Sequence, residues 1–180
     1  GTGILNQMLT EQGAVEDAWK MMLQTAFPSW LYPVTQGATT IWEHWDGMKD
    51  DGSMWSADMN SFNHYAYGAI GEWMYRAMAG IEADPEHPGF KHAILYPRIG
   101  GNLKYTAGKY HSIYGDVGVK WEVQGKQITL TVQIPVNTTA EIRLDQAKSV
   151  LESDGLTFTR EADYMAAEAG SGTYQIVFEQ

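Results

Sequence analysis

Residues 117–134 read VGVKWEVQGKQITLTVQI, and this stretch decides the fold of the second half of the chain. Apolar side chains alternate with polar ones over residues 117–123 and again over residues 128–134. Such alternation is typical of strands that bury one face, and Gly125-Lys126 between the two runs is a tight-turn signal. The stretch therefore predicts an antiparallel hairpin with Trp121 in the core.

Further strand signals lie downstream, whereas the first half of the chain has a helical period. Residues 140–144 and 174–178 alternate again, and Asp154-Gly155 marks another turn. Upstream, apolar side chains recur at three- and four-residue steps, which predicts amphipathic helices. The predicted helical segments are residues 4–9, 13–26 and 61–80.

The change of period predicts where one domain ends and the next begins. Asn60 or Ser61 is a candidate cap of the last helix, and Gly80 is a candidate stop signal. We therefore predict an α+β chain, with a helical domain over residues 1–82 and an antiparallel β-sandwich over residues 90–180.

Composition narrows the classes of partner. The 180 residues include 22 acidic and 12 basic ones, for a formal net charge of −10. Phosphate backbones and anionic lipid repel such a chain, so we expect neither a nucleic acid nor a membrane as partner. Zero cysteines exclude disulfides and thiolate metal sites, and the histidines lack zinc-ligand spacing, so we expect no metal and no cofactor.

One stretch concentrates aromatic and titratable side chains. Residues 39–46 read TTIWEHWD, which sets the Glu43 carboxylate between Trp42 and the pair His44-Trp45. Broad apolar indole faces pack well against the C–H faces of sugars. A carboxylate among them is partly desolvated, which raises its basicity and suits it to proton transfer. The pattern indicates carbohydrate chemistry, with Trp42 and Trp45 as candidate sugar contacts, and core packing is the competing interpretation.

A second cluster supports the same chemistry. Residues 61–68 read SFNHYAYG and place His64 in the first turn of the predicted last helix. The positive end of a helix dipole disfavours a protonated imidazole, and a neutral one can donate to and accept from sugar hydroxyls. Six of the seven tryptophans lie in the helical half, and Trp121 alone lies in the β half. The sequence therefore places any sugar chemistry in the helical half.

These motifs, taken together, match a known family. Residues 37–43 (GATTIWE), 61–68, 88–92 (PGFKH) and 97–98 (PR) closely resemble the α-L-rhamnosidases of glycoside hydrolase family 78. The resemblance runs in order from about residue 1 to residue 144 and weakens after that. Several co-linear motifs at matching spacing make it specific.

The resemblance implies a fold and a reaction. In that family an (α/α)6 barrel holds the active site and a β-sandwich follows it, so residues 1–82 would be the last helical hairpins of the barrel. The family inverts the anomeric carbon with two carboxylates, which are usually roughly 6.5–9.5 Å apart. Glu43 matches the general base, and His64 matches a residue that contacts rhamnose. The substrate implied is a rhamnose-containing glycoside or polysaccharide.

The family's general acid belongs to an upstream motif that these residues do not contain. The expectation is therefore a C-terminal fragment that is inactive by itself. In the whole barrel, the apolar stripes that contain Trp19, Ile70 and Trp73 would pack against helices that these residues do not include. Because the stripes must then be buried elsewhere, we also expect the fragment to self-associate. Two other readings stay open: a non-catalytic carbohydrate-binding module, and a sibling α-barrel glycosidase with another sugar specificity.

Overall fold

The structure is a computed structural model that describes residues 2–180, and it divides into two compact units. These are Gly1–Trp73 and Met74–Gln180. The first unit carries the α-helices and 3₁₀ segments, and the second carries a π-helix and two β-sheets. The predicted α+β class is therefore confirmed, with the division falling earlier than the domain end predicted at residue 82.

The helices of the first unit are short. They are a 3₁₀ turn Thr2–Ile4, α1 Leu5–Glu11, α2 Val15–Leu23, α3 Tyr32–Thr35, a 3₁₀ segment Ala66–Ala69 and α4 Ile70–Trp73. The apolar stripes pack on one another: Trp19 and Trp73 are 1% and 2% exposed, and their rings meet edge to face at 5.2 Å. The Trp73 indole N–H also donates to Thr10 Oγ1 at 2.8 Å. The two tryptophans therefore cover each other within the first unit, and self-association of the fragment remains a prediction.

Two predicted helix boundaries are wrong. α2 ends at Leu23 rather than near residue 26, because Gln24 is extended with ψ of 145°. The last helix begins at Ala66 rather than at Ser61. Neither candidate cap acts on it: the Asn60 amide donates to the Gly47 carbonyl, and Ser61 Oγ accepts the Asn63 N–H in a local turn. Hydrogen bonds to other parts of the chain hold residues 60–64 out of the helix.

The chain continues as a π-helix, Met74–Ala79, which stops where the sequence predicts. Gly80 follows with φ of +74°, a left-handed conformation that glycine adopts without strain. None of the helices in residues 2–180 combines the length and the apolar character needed to cross a bilayer.

The second unit is a sandwich of two five-stranded sheets, counted over residues 74–180. Its strands are β1 Ile81–Ala83, β2 His92–Leu95, β3 Tyr105–Ser112, β4 Gly115–Gln124, β5 Gln127–Ile134, β6 Thr139–Asp145, β7 Ser149–Glu152, β8 Thr159–Arg160, β9 Tyr164–Ala169 and β10 Gly172–Glu179. One sheet has the order β1-β2-β6-β9-β8, and the other β3-β4-β5-β10-β7. All pairs are antiparallel except β2 with β6, which run parallel.

The predicted hairpin is the centre of the second sheet. β4 and β5 pair around the predicted Gly125-Lys126 turn, with Trp121 opposite Leu130. Both side chains are fully buried, and the Trp121 indole donates to the Met78 carbonyl at 2.8 Å. The buried face of β10, which carries Ile176 and Phe178, extends this core.

Candidate functional site

The two motif segments lie side by side in the first unit. The Glu43 N–H donates to the Ser61 carbonyl at 2.8 Å, and the His64 N–H donates to the Ile41 carbonyl at 2.7 Å. The Thr40 hydroxyl adds a bond to the carbonyl of Phe62. These bonds explain why Glu43 and His64, far apart in sequence, belong to one local structure.

Glu43 is half-buried, and its carboxylate has no partner among residues 2–180. The backbone hydrogen bond to the Ser61 carbonyl fixes the position of the Glu43 backbone, and with it the base of the side chain. Within the described residues, no hydrogen bond or ion pair occupies the Glu43 carboxylate. A carboxylate that is positioned but unoccupied is free to accept a proton from water, which is the requirement for a general base.

A tight turn follows Glu43 and is braced from the other segment. The Gly47 N–H donates to the His44 carbonyl at 3.1 Å, and the Asn60 amide donates to the Gly47 carbonyl at 2.9 Å. A Cβ atom on Gly47 would lie 3.1 Å from Asn60 Oδ1 and 3.3 Å from a ring carbon of Phe62. The packing around the turn therefore leaves little room for a side chain at position 47.

His64 lies outside the helix, which corrects the prediction that it sits in a first helical turn. The imidazole Nδ1 accepts the Ala66 N–H at 3.2 Å, and the ring stacks on Tyr65 at 5.2 Å with an interplanar angle of 11°. A ring nitrogen that accepts a hydrogen bond is unprotonated, so Nε2 carries the hydrogen in the neutral ring. The available group of His64 is thus an N–H donor, and its orientation comes from a local bond rather than from a helix dipole.

The two candidate tryptophans occupy packed surroundings. Trp42 is 6% exposed and meets Phe62 edge to face at 4.9 Å. Trp45 is half-buried and contacts Trp30 at 5.1 Å and Tyr67 at 5.2 Å. These contacts agree with the interpretation that both tryptophans pack in the core. A sugar contact by either residue remains a prediction.

Several buried polar atoms around this site lack a hydrogen-bond partner among the described residues. They are Trp30 Nε1, His44 Nε2, Trp45 Nε1 and Asn60 Oδ1. Most buried polar atoms in proteins are paired, because an unpaired one costs free energy. Asn6 Oδ1 and Gln7 Oε1 on α1 are unpaired as well, so all such atoms among the described residues lie in the first unit and none lies in the β-sandwich.

The sequence analysis did not single out Trp55, an aromatic residue that contacts the segment around Glu43. The Trp55 ring stacks on His44 at 3.9 Å with an interplanar angle of 24°, and Trp55 is 41% exposed. The backbone N–H of Trp55 donates to the Gly47 carbonyl at 3.1 Å, and this bond ties the Trp55 loop to the turn after Glu43. The residue follows Asp51-Gly52, an ordinary turn signal, and only its identity as Trp could have drawn attention to it.

The acidic residues of the loop after the turn form hydrogen bonds with nearby side chains and backbone groups. Asp51 Oδ1 accepts the hydroxyl of Ser53 at 2.6 Å and the Ser53 N–H at 2.9 Å. These bonds hold the pKa of Asp51 below its ordinary value. Asp50 accepts the Gln36 amide at 3.1 Å. Both carboxylates therefore have structural partners, as a solvated loop requires.

Two family models cover most of the chain. Residues 1–78 match the bacterial alpha-L-rhamnosidase 6 hairpin glycosidase domain, and residues 80–158 match the bacterial alpha-L-rhamnosidase C-terminal domain. An α-L-rhamnosidase of Streptomyces avermitilis is 40% identical over 178 residues, which is 97% of this chain and 17% of that protein. One of Formosa agariphila is 39% identical over 161 residues, or 88% of this chain and 17% of that protein.

Solved structures agree with the sequence matches. The crystal structure of the Streptomyces avermitilis enzyme complexed with L-rhamnose superposes with a TM-score of 0.90 at 38% identity, covering 98% of this chain and 17% of that one. The native Aspergillus terreus enzyme gives a TM-score of 0.84 at 31% identity, covering 98% of this chain and 19% of that one. The chain thus spans less than a fifth of each relative. It belongs to the bacterial α-L-rhamnosidase family, with residues 1–78 matching the 6 hairpin glycosidase domain and residues 80–158 matching the C-terminal domain.

Proposed function

We propose that this chain is the C-terminal portion of an inverting glycoside hydrolase that releases terminal α-L-rhamnose, with Glu43 as its general base. The observation that carries the proposal is the half-buried Glu43 carboxylate, which has no partner in the described part of the chain and stands on a backbone held by the Ser61 carbonyl at 2.8 Å. Family membership supplies the reaction class.

The chemistry needs two carboxyl groups on opposite faces of the sugar. Glu43 accepts a proton from a water molecule while the water oxygen attacks the anomeric carbon. The bond from that carbon to the leaving oxygen breaks at the same time, and a second carboxyl group protonates that oxygen. The separation of the two groups leaves room for the water, and the product has inverted configuration.

His64 and its neighbours would bind the sugar in this scheme. With Nδ1 engaged by the Ala66 N–H, the opposite ring nitrogen donates to a rhamnose hydroxyl. The helical unit, not the β-sandwich, would therefore carry the chemistry. The general acid would come from residues outside this chain.

The test is Glu43→Gln in a full-length parent enzyme. The amide keeps the shape but cannot take the proton, so kcat on an aryl α-L-rhamnoside should fall by about 10²–10⁴ while substrate binding persists. Asp46→Asn is the matched control, because Asp46 is a half-buried acid of the same turn, and it should stay near wild-type activity.

A second variant identifies the role of the lost group. Glu43→Ala opens space for a small anion, so added azide should restore turnover and give β-L-rhamnosyl azide, the product of attack on the face opposite the leaving group. Near wild-type kcat in Glu43→Gln would reject the base assignment. An initial α-rhamnose product from the wild-type enzyme would reject inversion.

A further inference from the structure

The loop after Glu43 presents one indole differently from the others in its unit. Trp19, Trp30, Trp42 and Trp73 are 1%, 9%, 6% and 2% exposed, whereas Trp55 is 41% exposed. Leaving so large an apolar ring in water forgoes a sizeable hydrophobic stabilisation. An exposed aromatic ring near a catalytic group therefore calls for an explanation.

Trp55 is also held rigidly. The imidazole of His44 covers its ring in a stack at 3.9 Å, and its backbone N–H donates to the Gly47 carbonyl at 3.1 Å. Met48 and Met54 form an antiparallel bridge that closes the same loop. A flat ring that is pre-oriented loses little conformational entropy when a ligand packs on it.

The ring has polar capacity left over. Among the described residues the Trp55 indole N–H has no hydrogen-bond partner, so it can donate to a hydroxyl group. An apolar face beside a free edge donor matches the surface of a sugar ring, which alternates C–H groups and hydroxyls. A deoxy sugar such as rhamnose adds a methyl group to that apolar surface.

We infer that Trp55 is a wall of the sugar site, which packs on the rhamnosyl ring itself and is supported from behind by His44. This inference rests on the proposed function of Glu43. His44 directly follows Glu43 in the chain, and the His44 stack together with the Trp55–Gly47 backbone bond ties the indole to the turn that carries Glu43. The base of an inverting hydrolase faces the sugar from the side opposite the leaving group. A wall next to Glu43 therefore contacts the rhamnose ring and not the aglycone.

The experiment measures equilibrium binding of free L-rhamnose to a full-length parent enzyme by calorimetry. Trp55→Ala should raise the dissociation constant about tenfold, and Trp55→Leu, which keeps apolar bulk without a flat face, should raise it by a similar factor. Trp55→Phe should stay within about threefold of wild type. Met54→Ala is the matched control, because Met54 is 55% exposed in the same loop, and it should not change binding.

Binding and turnover separate the two proposals. If Glu43→Gln remains active, the proposed base role fails, whereas the binding result still tests Trp55. Wild-type rhamnose affinity in Trp55→Ala and Trp55→Leu would overturn the inference. So would unchanged rhamnose binding together with a raised KM for a rhamnosyl disaccharide, which would assign Trp55 to the aglycone. A lowered Tm with unchanged affinity would show that Trp55 packs against other polypeptide.

Discussion

Two glycines with the same left-handed backbone differ in what surrounds them. Gly80 has φ of +74° and Gly125 has φ of +67°. A Cβ at Gly80 would lie 2.0 Å from the Pro97 nitrogen and 2.4 Å from the carbonyl carbon of Tyr96, whereas nothing lies within 4 Å of that position at Gly125. The positive φ favours glycine modestly at both positions. Close packing excludes a larger side chain at Gly80 only.

Gly80→Ala should therefore destabilise the chain far more than Gly125→Ala. The left-handed conformation costs a non-glycine residue roughly 1–2 kcal/mol, and Gly125→Ala should lose no more than that. Gly80→Ala adds a backbone clash that forces the chain apart, so its loss should be on the order of 4 kcal/mol or the variant should not fold. Urea unfolding of both variants measures the difference. Equal losses would mean that the backbone at Pro97 relaxes freely.

At His64, two roles can be separated by two substitutions in a full-length parent. His64→Ala should weaken rhamnose binding by about 1–3 kcal/mol, because a hydrogen bond to a sugar hydroxyl is lost. It should also lower stability slightly, since the Ala66 N–H loses its acceptor. His64→Asn restores a short acceptor for that N–H but cannot reach as far, so it should recover stability and not affinity.

The readouts for His64 are calorimetric binding and Tm. The affinity loss should be larger for rhamnose than for an analogue that lacks the contacted hydroxyl. Equal losses for both sugars would show that His64 acts through packing instead.

At the scale of elements, β6 carries a bidentate ion pair whose effect on stability depends on pH. Arg143 Nε and Nη2 donate to the two oxygens of Glu141 at 2.8 and 2.9 Å. These bonds hold the pKa of Glu141 below its ordinary value. Directly opposite on β9 lies Glu168, which no basic group pairs within the described residues.

The lowered pKa of Glu141 sets the sign of the pH dependence. An acid whose pKa is lower in the folded state stabilises the fold above its unfolded pKa, about 4.3 for Glu, and loses that contribution as pH falls through the folded value. Glu141→Gln should thus cost up to about 1 kcal/mol at pH 7, and this cost should shrink as pH falls below the unfolded pKa and disappear below the lowered folded pKa. Glu168→Gln, the control, should show no such loss at pH 7, because it removes a like-charge neighbour instead. A pH-independent cost in Glu141→Gln would contradict the ion-pair explanation.

The elements that were hard to predict share a physical cause. β3 is an edge strand whose half-buried positions are Thr106 and Gly108, so its sequence shows no apolar alternation although its burial alternates. β9 reads YMAAEA, and its alanines favour helices rather than strands. β4 and β5, which lie inside a sheet with one buried face, alternate clearly and were predicted. Apolar alternation in the sequence indicates a strand with one buried face. A strand that lacks this alternation cannot be predicted from it.

At the scale of the whole molecule, several exposed apolar side chains lie outside the stripes that contain Trp19, Ile70 and Trp73. The stripe residues Trp19 and Trp73 are covered, yet the first unit leaves Ile4, Val34 and Met59 exposed by 62%, 58% and 60%. Large apolar side chains in water favour association. The isolated 180-residue chain should therefore self-associate, as measured by sedimentation equilibrium.

Charged substitutions test the surface responsible. The triple variant Ile4→Lys, Val34→Lys and Met59→Lys should shift the chain toward monomer, whereas Val136→Lys, at a residue that is 74% exposed in the second unit, should not. A wild-type chain that stays monomeric at high concentration would contradict this prediction.

The same isolated chain should not hydrolyse an aryl α-L-rhamnoside. The proposed mechanism needs a carboxylic acid on the leaving-group side, and the family resemblance assigns that acid to an upstream motif outside these 180 residues. Turnover by the isolated chain, lost in Glu43→Gln, would mean that the acid is among the residues present. Added full-length parent is the positive control for the assay.

The sequence by itself determined the class of the fold, the β4–β5 hairpin with Trp121 in its core, and the resemblance that singles out Glu43 and His64. Those features depend on local periodicity and on contiguous motifs, which a chain displays without folding. Tertiary structure alone decided that the last helix starts at Ala66 and that Trp55 stacks on His44. Both depend on contacts between segments distant in sequence, such as the bond from Asn60 to Gly47. Such contacts override local propensity because they satisfy backbone groups that a longer helix would otherwise have paired.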